Sequence, residues 1–167
     1  MKVIFLDIDG VLNAEDDFGE HKPNPHFSYH RGISDEKLNR LKEIVEQTSA
    51  KIVLVSSWKA GYEKYLKDNE NEIGVYLISK FKEAGLEIFE TTFKYDTDKG
   101  KSRGIEVALY LIDHKEITNY IVLDDDERID YEKFNVLPHL IKTSPETGLT
   151  DTIKDKAIKE LKDAHGY

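Results

Sequence analysis

The sequence predicts an α/β protein built on a parallel β-sheet with helices on both faces. Short apolar runs within residues 3–6, 51–55 and 119–123 lack polar alternation, which is typical of strands buried on both faces. Stretches with helical periodicity lie between these runs, as in the right-handed strand–helix–strand units of parallel sheets. Polar and acidic residues follow the ends of the runs, where such sheets bind their ligands.

Composition favours a single domain that covers residues 1–167. Hydrophobic residues make up 39% and charged residues 34% of the chain, and no apolar run approaches the roughly 20 residues of a membrane span. The first strand starts at the N-terminus and cysteine is absent, so we expect a cytoplasmic protein without a signal peptide or disulfides. We predict no membrane association and no stable protein partner. The net charge of -9 argues against a broad nucleic-acid-binding surface but leaves room for a local basic pocket.

The first strand, residues 3–6, ends in an acidic turn. Asp7 and Asp9 are two residues apart, so near an extended backbone their side chains leave on the same side, and Gly10 allows a sharp turn. Two crowded carboxylates repel each other unless a cation lies between them or one holds a proton. An EF-hand calcium loop is excluded, because the positions that need an oxygen ligand and a glycine are Val11 and Leu12.

Residues 14–32 are expected to form a short cap-like loop over this strand end. The plain interpretation of the histidines in this loop is that they are solvated. The alternative is that they and Arg31 contact a substrate.

A helix capped by Ser34 leads to the second strand, residues 51–55, which runs straight into Ser56, Ser57 and Lys59. Ser56 is therefore expected near Asp7. Its position suits either a helix N-cap or a phosphate ligand.

The rest of the chain continues the pattern. We expect one or two helices between residues 59 and 84, a third strand at residues 86–89, a short loop at residues 91–100, a fifth strand at residues 139–142 and a final helix capped by Thr150. Lys101 and Arg103 stand at the start of another helix, where cations are unfavourable unless an anion is bound. The fourth strand, residues 119–123, is followed at once by Asp124 and Asp125, which should reach the carboxyl edge of the sheet.

The run of residues from Asp7 to Val11 resembles the first motif of the haloacid dehalogenase (HAD) superfamily of phosphatases and phosphotransferases. The resemblance implies a HAD-like Rossmannoid three-layer sandwich with sheet order 5-4-1-2-3, and the short insertions predict no large cap domain. It also implies that Asp7 is the nucleophile, Asp9 the general acid and base, and Ser56 a phosphate ligand. The later motifs would supply a cation from Lys101 or Arg103, between which spacing does not choose. A Mg²⁺ site is implied at Asp7, Asp9 (through its backbone carbonyl), Asp124 and Asp125.

The order of these motifs disfavours a receiver domain, in which the acidic pair comes first and the lysine last. Residues 55–59, 103–106, 123–126 and 147–150 also resemble the HAD domain associated with Swiss Army Knife RNA repair proteins. In that group the basic residue would fall on Arg103.

These resemblances together imply a Mg²⁺-dependent phosphatase that forms an aspartyl-phosphate on a phosphorylated small molecule, a nucleotide or a nucleic-acid end. We expect Ser56, Ser57, Lys59 and Arg31 to contact the substrate. The alternative is a non-catalytic phosphate- or protein-binding module that keeps the fold.

Overall fold

A five-stranded parallel sheet forms the centre of the protein. The computed structural model describes residues 1–19, 32–96, 102–127 and 129–163. The strands are β1 (Lys2–Leu6), β2 (Lys51–Leu54), β3 (Ile88–Thr91), β4 (Asn119–Asp124) and β5 (Leu140–Lys142), in the spatial order β3-β2-β1-β4-β5. All neighbouring pairs are parallel. The predicted order 5-4-1-2-3, which is the same order counted from the other edge, is confirmed.

Helices cover both faces of this sheet. In the described part of the chain they are α1 (Asp35–Thr48), α2 (Lys59–Asp68), α3 (Glu72–Glu83), α4 (Arg103–Asp113), α5 (Ile129–Lys133) and α6 (Asp151–Lys162). Ile4 and Leu6 of β1 pack into one apolar cluster with residues of α1, α3 and α6. Val3 and Phe5 point the other way, into a second cluster with residues of α4 and α5. This alternation produces the three-layer architecture expected from the sequence.

The predicted helix starts agree with the structure. Ser34 caps α1 by accepting a hydrogen bond from the backbone N–H of Lys37, and Thr150 caps α6 in the same way. The segment between residues 59 and 84 forms two helices, and the Asn71 side chain caps the second. The helix α5 was not predicted from the sequence.

The third strand lies two residues later than predicted. Leu86 belongs to the turn that ends α3, because its N–H donates to the carbonyl of Phe81 at 2.8 Å and the preceding Gly85 has φ +72°. The strand then includes Glu90 and Thr91, which pair with β2. The apolar pattern extended the strand to Leu86, which lies in the turn after α3 but is buried in the same apolar cluster as Ile88 of β3.

Both flanks of the predicted cap-like loop are attached to the body of the protein. Residues 15–19 form a 3₁₀ helix, and the buried Lys37 of α1 pairs with Asp16 at 3.0 Å and Asp17 at 2.7 Å. On the other flank, the N–H of Ile33 donates to the hydroxyl of Tyr76 on α3 at 2.9 Å. Residues 20–31, with the predicted substrate ligand Arg31, lie outside the described residues.

None of the described helices has both the length and the apolar character needed to cross a membrane.

Candidate active site

Three strands bring polar residues to one edge of the sheet. Leu6 of β1 lies opposite Leu54 of β2 and Leu123 of β4. The ladder continues past the strand, since the N–H of Asp7 donates to the carbonyl of Leu123 at 2.9 Å. The residues that follow these three positions therefore meet at the carboxyl edge of the sheet.

Arg103 joins two of these strand ends. It is the first residue of α4, and its Nη1 lies 2.5 Å from Asp7 Oδ2 and 2.8 Å from Asp124 Oδ2. Burial lowers the pKa of the guanidinium, but the two carboxylates outweigh this effect and leave its pKa raised. Its Nε is buried and has no hydrogen-bond partner among the described residues, so a donor remains for an oxygen of a ligand. The other candidate cation, Lys101, lies outside the described residues.

Asp7 is held in a single orientation. Its Oδ1 accepts the N–H of Ile8 at 2.8 Å, while its Oδ2 faces Arg103. Burial raises the pKa of the Asp7 carboxyl, and Arg103 opposes that rise. The Ser56 hydroxyl also acts on this carboxyl and lowers its pKa, which places Ser56 beside it.

A cluster of three carboxylates lies beside Arg103. Asp7, Asp124 and Asp125 each offer one oxygen within 4.8 Å of the others. Burial, and then the charges of Asp7 and Asp124, raise the pKa of Asp125 to about 6. Gly10 has φ +73°, and a Cβ on it would lie only 2.3 Å from Asp125 Oδ2, so only glycine lets this carboxylate approach. Mg²⁺ takes oxygen ligands and binds through few carboxylates while it keeps several waters, so the residues present fit this ion.

Tyr131 orients one member of the cluster. Its hydroxyl donates to Asp124 Oδ2 at 2.6 Å, and the N–H of Asp126 donates to Asp124 Oδ1 at 2.9 Å. Burial, together with the charge of Asp124, raises the pKa of the Tyr131 phenol, which keeps it a donor. Sequence reasoning missed Tyr131, because nothing in the local pattern marks the short helix α5.

The start of α4 is neutralised by the protein itself. Asp130 Oδ2 accepts the N–H groups of Gly104 at 2.7 Å and Ile105 at 3.2 Å. A carboxylate at this end of a helix is favourable. From the sequence, an anion was expected near the start of this helix. That negative charge is supplied in part by Asp130 and in part by the carboxylates that face Arg103.

The Asp9 carboxyl is bound by two side chains that do not belong to the carboxylate cluster. Its Oδ1 accepts from the Asn13 side-chain amide at 2.8 Å, and its Oδ2 accepts from the Trp58 indole at 2.9 Å. The same Asn13 accepts the N–H of Gly10 at 3.0 Å. Any metal contact by Asp9 would use its backbone carbonyl, and that role stays a prediction.

The predicted substrate ligands after β2 have different environments. Ser56 is fully buried and its Oγ accepts the N–H of Trp58 at 3.4 Å, whereas Ser57 is exposed. Lys59 is 1% exposed, and its Nζ pairs with Glu106 at 3.2 Å and Asp96 at 3.1 Å. Contact between Lys59 and a substrate would require this buried pair to open. The substrate role of all three residues stays a prediction.

A family model described as the HAD domain in Swiss Army Knife RNA repair proteins matches residues 3–153. The chain belongs to this family. Searches of the curated proteins and of the solved structures gave no match. The match covers every residue of the HAD motifs, from Asp7 to Asp125, and it agrees with the α/β architecture described above.

Membership of this HAD family supports a phosphatase-type activity in general terms. The acidic cluster is the place where such a domain could hold a metal.

The contacts made by Trp58 and Asn13 with Asp9 were not predicted from the sequence. For Trp58 a signal was available, because it directly follows the two serines after β2.

Proposed function

We propose that this protein is a Mg²⁺-dependent phosphatase that hydrolyses a phosphomonoester through an aspartyl-phosphate on Asp7. The observation that carries the proposal is the position of Asp7 at the end of β1, between the cation Arg103 and the acidic pair Asp124 and Asp125. Phosphoryl transfer depends mainly on positioning and on control of charge. A buried carboxylate beside a fixed guanidinium meets both requirements.

Asp7 would attack phosphorus with a carboxylate oxygen, while Arg103 offsets the negative charge that the two groups bring together. The buried Nε of Arg103 would donate to a phosphate oxygen, and the Ser56 hydroxyl would donate to another. Asp9 would give a proton to the leaving oxygen and later take one from the hydrolytic water.

The residues that would hold Mg²⁺ are Asp7, Asp124 and Asp125, with the backbone carbonyl of Asp9 as a further ligand. The ion would supply positive charge that lets an anionic nucleophile approach an anionic phosphate. Tyr131 and Asp126 support the site by fixing both oxygens of Asp124.

For the substrate, we propose a nucleotide or a phosphorylated nucleic-acid end. The name of the matching family supports a phosphorylated nucleic-acid substrate. The insertion at residues 14–32 is too short for a separate cap domain, which favours a site open to the end of a bulky molecule. The net charge of -9 weakens non-specific attraction to a polyanion, so recognition would depend on the phosphate and its near neighbours.

Phosphate release from a panel with Mg²⁺ tests this function. The panel holds a 3′-phosphorylated oligonucleotide, a mononucleotide, a hexose phosphate and an aryl phosphate. We expect Asp7→Asn to lower turnover by several orders of magnitude with the fold intact, because it removes the nucleophile. Asp155→Asn, on the exposed face of α6, is the matched control and should keep full activity.

Three outcomes would contradict parts of the proposal. Turnover by Asp7→Asn above a few per cent of the wild type would rule out the nucleophile. Phosphate binding without release of phosphate from any substrate would favour the non-catalytic binding module. A preference for the hexose phosphate would contradict the substrate class alone.

A further inference from the structure

We infer that Trp58 and Asn13 are positioning residues that hold the Asp9 carboxyl for proton transfer to the leaving group. The inference rests on the proposed function, since it concerns how the general acid proposed for that reaction is positioned. Trp58 lies in the stretch 55–59 that resembles the family and Asn13 follows the first motif, but neither was assigned a role from the sequence, and both contact Asp9 directly.

The two donors come from different parts of the chain and form hydrogen bonds with the two oxygens of the Asp9 carboxyl. The Trp58 indole N–H reaches Asp9 Oδ2 at 2.9 Å across 49 residues of sequence, and the Asn13 amide reaches Oδ1 at 2.8 Å. The terminal torsion of an aspartate is broad and roughly two-fold, so a carboxyl without such partners rotates easily. Two donors at opposite oxygens fix the plane of the group.

Each donor is itself fixed by the fold. Trp58 is 2% exposed, belongs to the larger apolar cluster, and its ring centroid lies 6.3 Å from that of Tyr76. Asn13 is 1% exposed, and its Oδ1 accepts the N–H of Gly10, so the amide orientation is set by the turn after Asp9. A carboxyl held by two buried and oriented donors is preorganised for one direction of proton transfer.

These two hydrogen bonds are compatible with the proposed role of Asp9 as the general acid. Each carboxyl oxygen has two lone-pair sites, so an oxygen that accepts one N–H can still carry the transferable proton. In the first half of the reaction, an Asp7 oxygen forms a bond to phosphorus and the bond from phosphorus to the leaving oxygen breaks. The proton of Asp9 moves to that leaving oxygen, an alcohol departs, and Asp9 remains as a carboxylate.

The dependence of the reaction rate on the leaving group distinguishes a loss of acid positioning from a general disruption of the site. An alkoxide leaves poorly without a proton, whereas 2,4-dinitrophenolate leaves readily on its own. General acid catalysis contributes roughly 10²–10⁴-fold. We therefore expect Trp58→Phe to slow alcohol release from an alkyl phosphate by about tenfold or more, and to slow release from 2,4-dinitrophenyl phosphate by less than about threefold.

The experiment is a single turnover with enzyme in excess and Mg²⁺ present. It follows release of the alcohol and therefore reports only the attack by Asp7. Asp9→Asn gives the reference for complete loss of the acid. Asn13→Ala should shift the ratio of the two rates in the same direction as Trp58→Phe, which guards against one variant failing to fold. Tyr76→Phe keeps the ring beside Trp58 and removes a hydroxyl bonded to Ile33, so it should leave the ratio unchanged.

The outcomes are distinguishable. A slower release of alcohol from the alkyl phosphate alone, in folded Trp58→Phe or Asn13→Ala, supports the inference. Equal loss on both substrates, or no loss, in every folded variant overturns it while the wild-type protein remains a phosphatase. If the wild-type protein releases no alcohol from either substrate, the proposed function fails and the inference falls with it.

Discussion

Tyr131 shows how one hydroxyl can orient a charged group at the candidate site. It donates to Asp124 Oδ2, the same oxygen that faces Arg103. A carboxylate that must bind a metal benefits from partners that fix its rotation, and loss of such partners commonly costs 10–100-fold in metal affinity.

We predict that Tyr131→Phe weakens Mg²⁺ binding by about tenfold or more, because Asp124 loses one of the donors that hold it. Calorimetric titration of the protein with Mg²⁺ measures this directly. Tyr110→Phe is a matched control, since Tyr110 is equally buried and its hydroxyl also donates to a carboxylate, that of Glu90, at 2.6 Å. Both variants should lose a similar amount of stability, and equal Mg²⁺ affinity in the two would contradict the prediction.

Among the elements, α2 and α4 are joined by a buried ion pair. Lys59 opens α2, directly after the Ser56 turn, and Glu106 lies one turn into α4 after Arg103. The Glu106 carboxylate accepts from Lys59 at 3.3 Å and from the Thr92 hydroxyl at 2.5 Å. The pair therefore connects the turn that carries Ser56 with the helix that carries Arg103.

We predict that Lys59→Met destabilises the protein by roughly 3–5 kcal/mol, because it leaves Glu106 buried without its cation. Burial raises the pKa of Glu106, while Thr92 and Lys59 lower it, so removal of Lys59 should raise this pKa further. An acid with a raised folded-state pKa loses stability as pH rises. The deficit measured by urea unfolding should therefore be smaller near pH 5 than near pH 8.

The double variant Lys59→Met with Glu106→Leu gives the control for this pair. Removing both partners of a buried pair is often close to neutral, but Asp96, the second partner of Lys59, would still lose its cation. The double variant should therefore recover part of the lost stability and lose the part of the pH dependence that comes from Glu106. Lys94→Met, at an exposed lysine near Asp113, should change little. A double variant as unstable as Lys59→Met would show that packing of the lysine stem, and not its charge, is responsible.

The sequence predicted the elements that local pattern defines and missed the contacts that packing creates. The strands β1, β2 and β4, and the acidic residues at their ends, follow from apolar runs and from the rule that parallel strands end at one edge. The basic character of Lys59 suggested a substrate contact, but its partner Glu106 lies 47 residues away, and no local pattern reveals that pairing. Contacts of Tyr131 and Asp130 depend in the same way on where α5 packs.

At the scale of the whole molecule, the net charge of -9 determines the long-range electrostatic interaction of the protein with a polyanion. Most nucleic-acid-binding proteins attract their ligand over a distance and bind it less well as salt rises. For this chain the long-range interaction is repulsive, and salt screens it over a Debye length of about 10 Å at 0.1 M.

We therefore predict that KM for a 3′-phosphorylated oligonucleotide falls as KCl is increased over a moderate range. KM for the corresponding mononucleotide should change much less, because it carries far fewer charges and serves as the control. Steady-state kinetics at several salt concentrations measure both. A KM that rises steeply with salt for the oligonucleotide alone would reveal a local cationic path that outweighs the net charge.

The attachment of the 14–32 insertion also bears on protein engineering. Its entry is held by Lys37 through Asp16 and Asp17, and its exit is held where Tyr76 binds Ile33. Both anchor points belong to helices of the body and not to the insertion. The stretch between them can therefore be exchanged for a graft of another length or composition while both anchor points are kept. A combinatorial library confined to residues 20–31 would leave both anchor points and the described residues of the site unchanged.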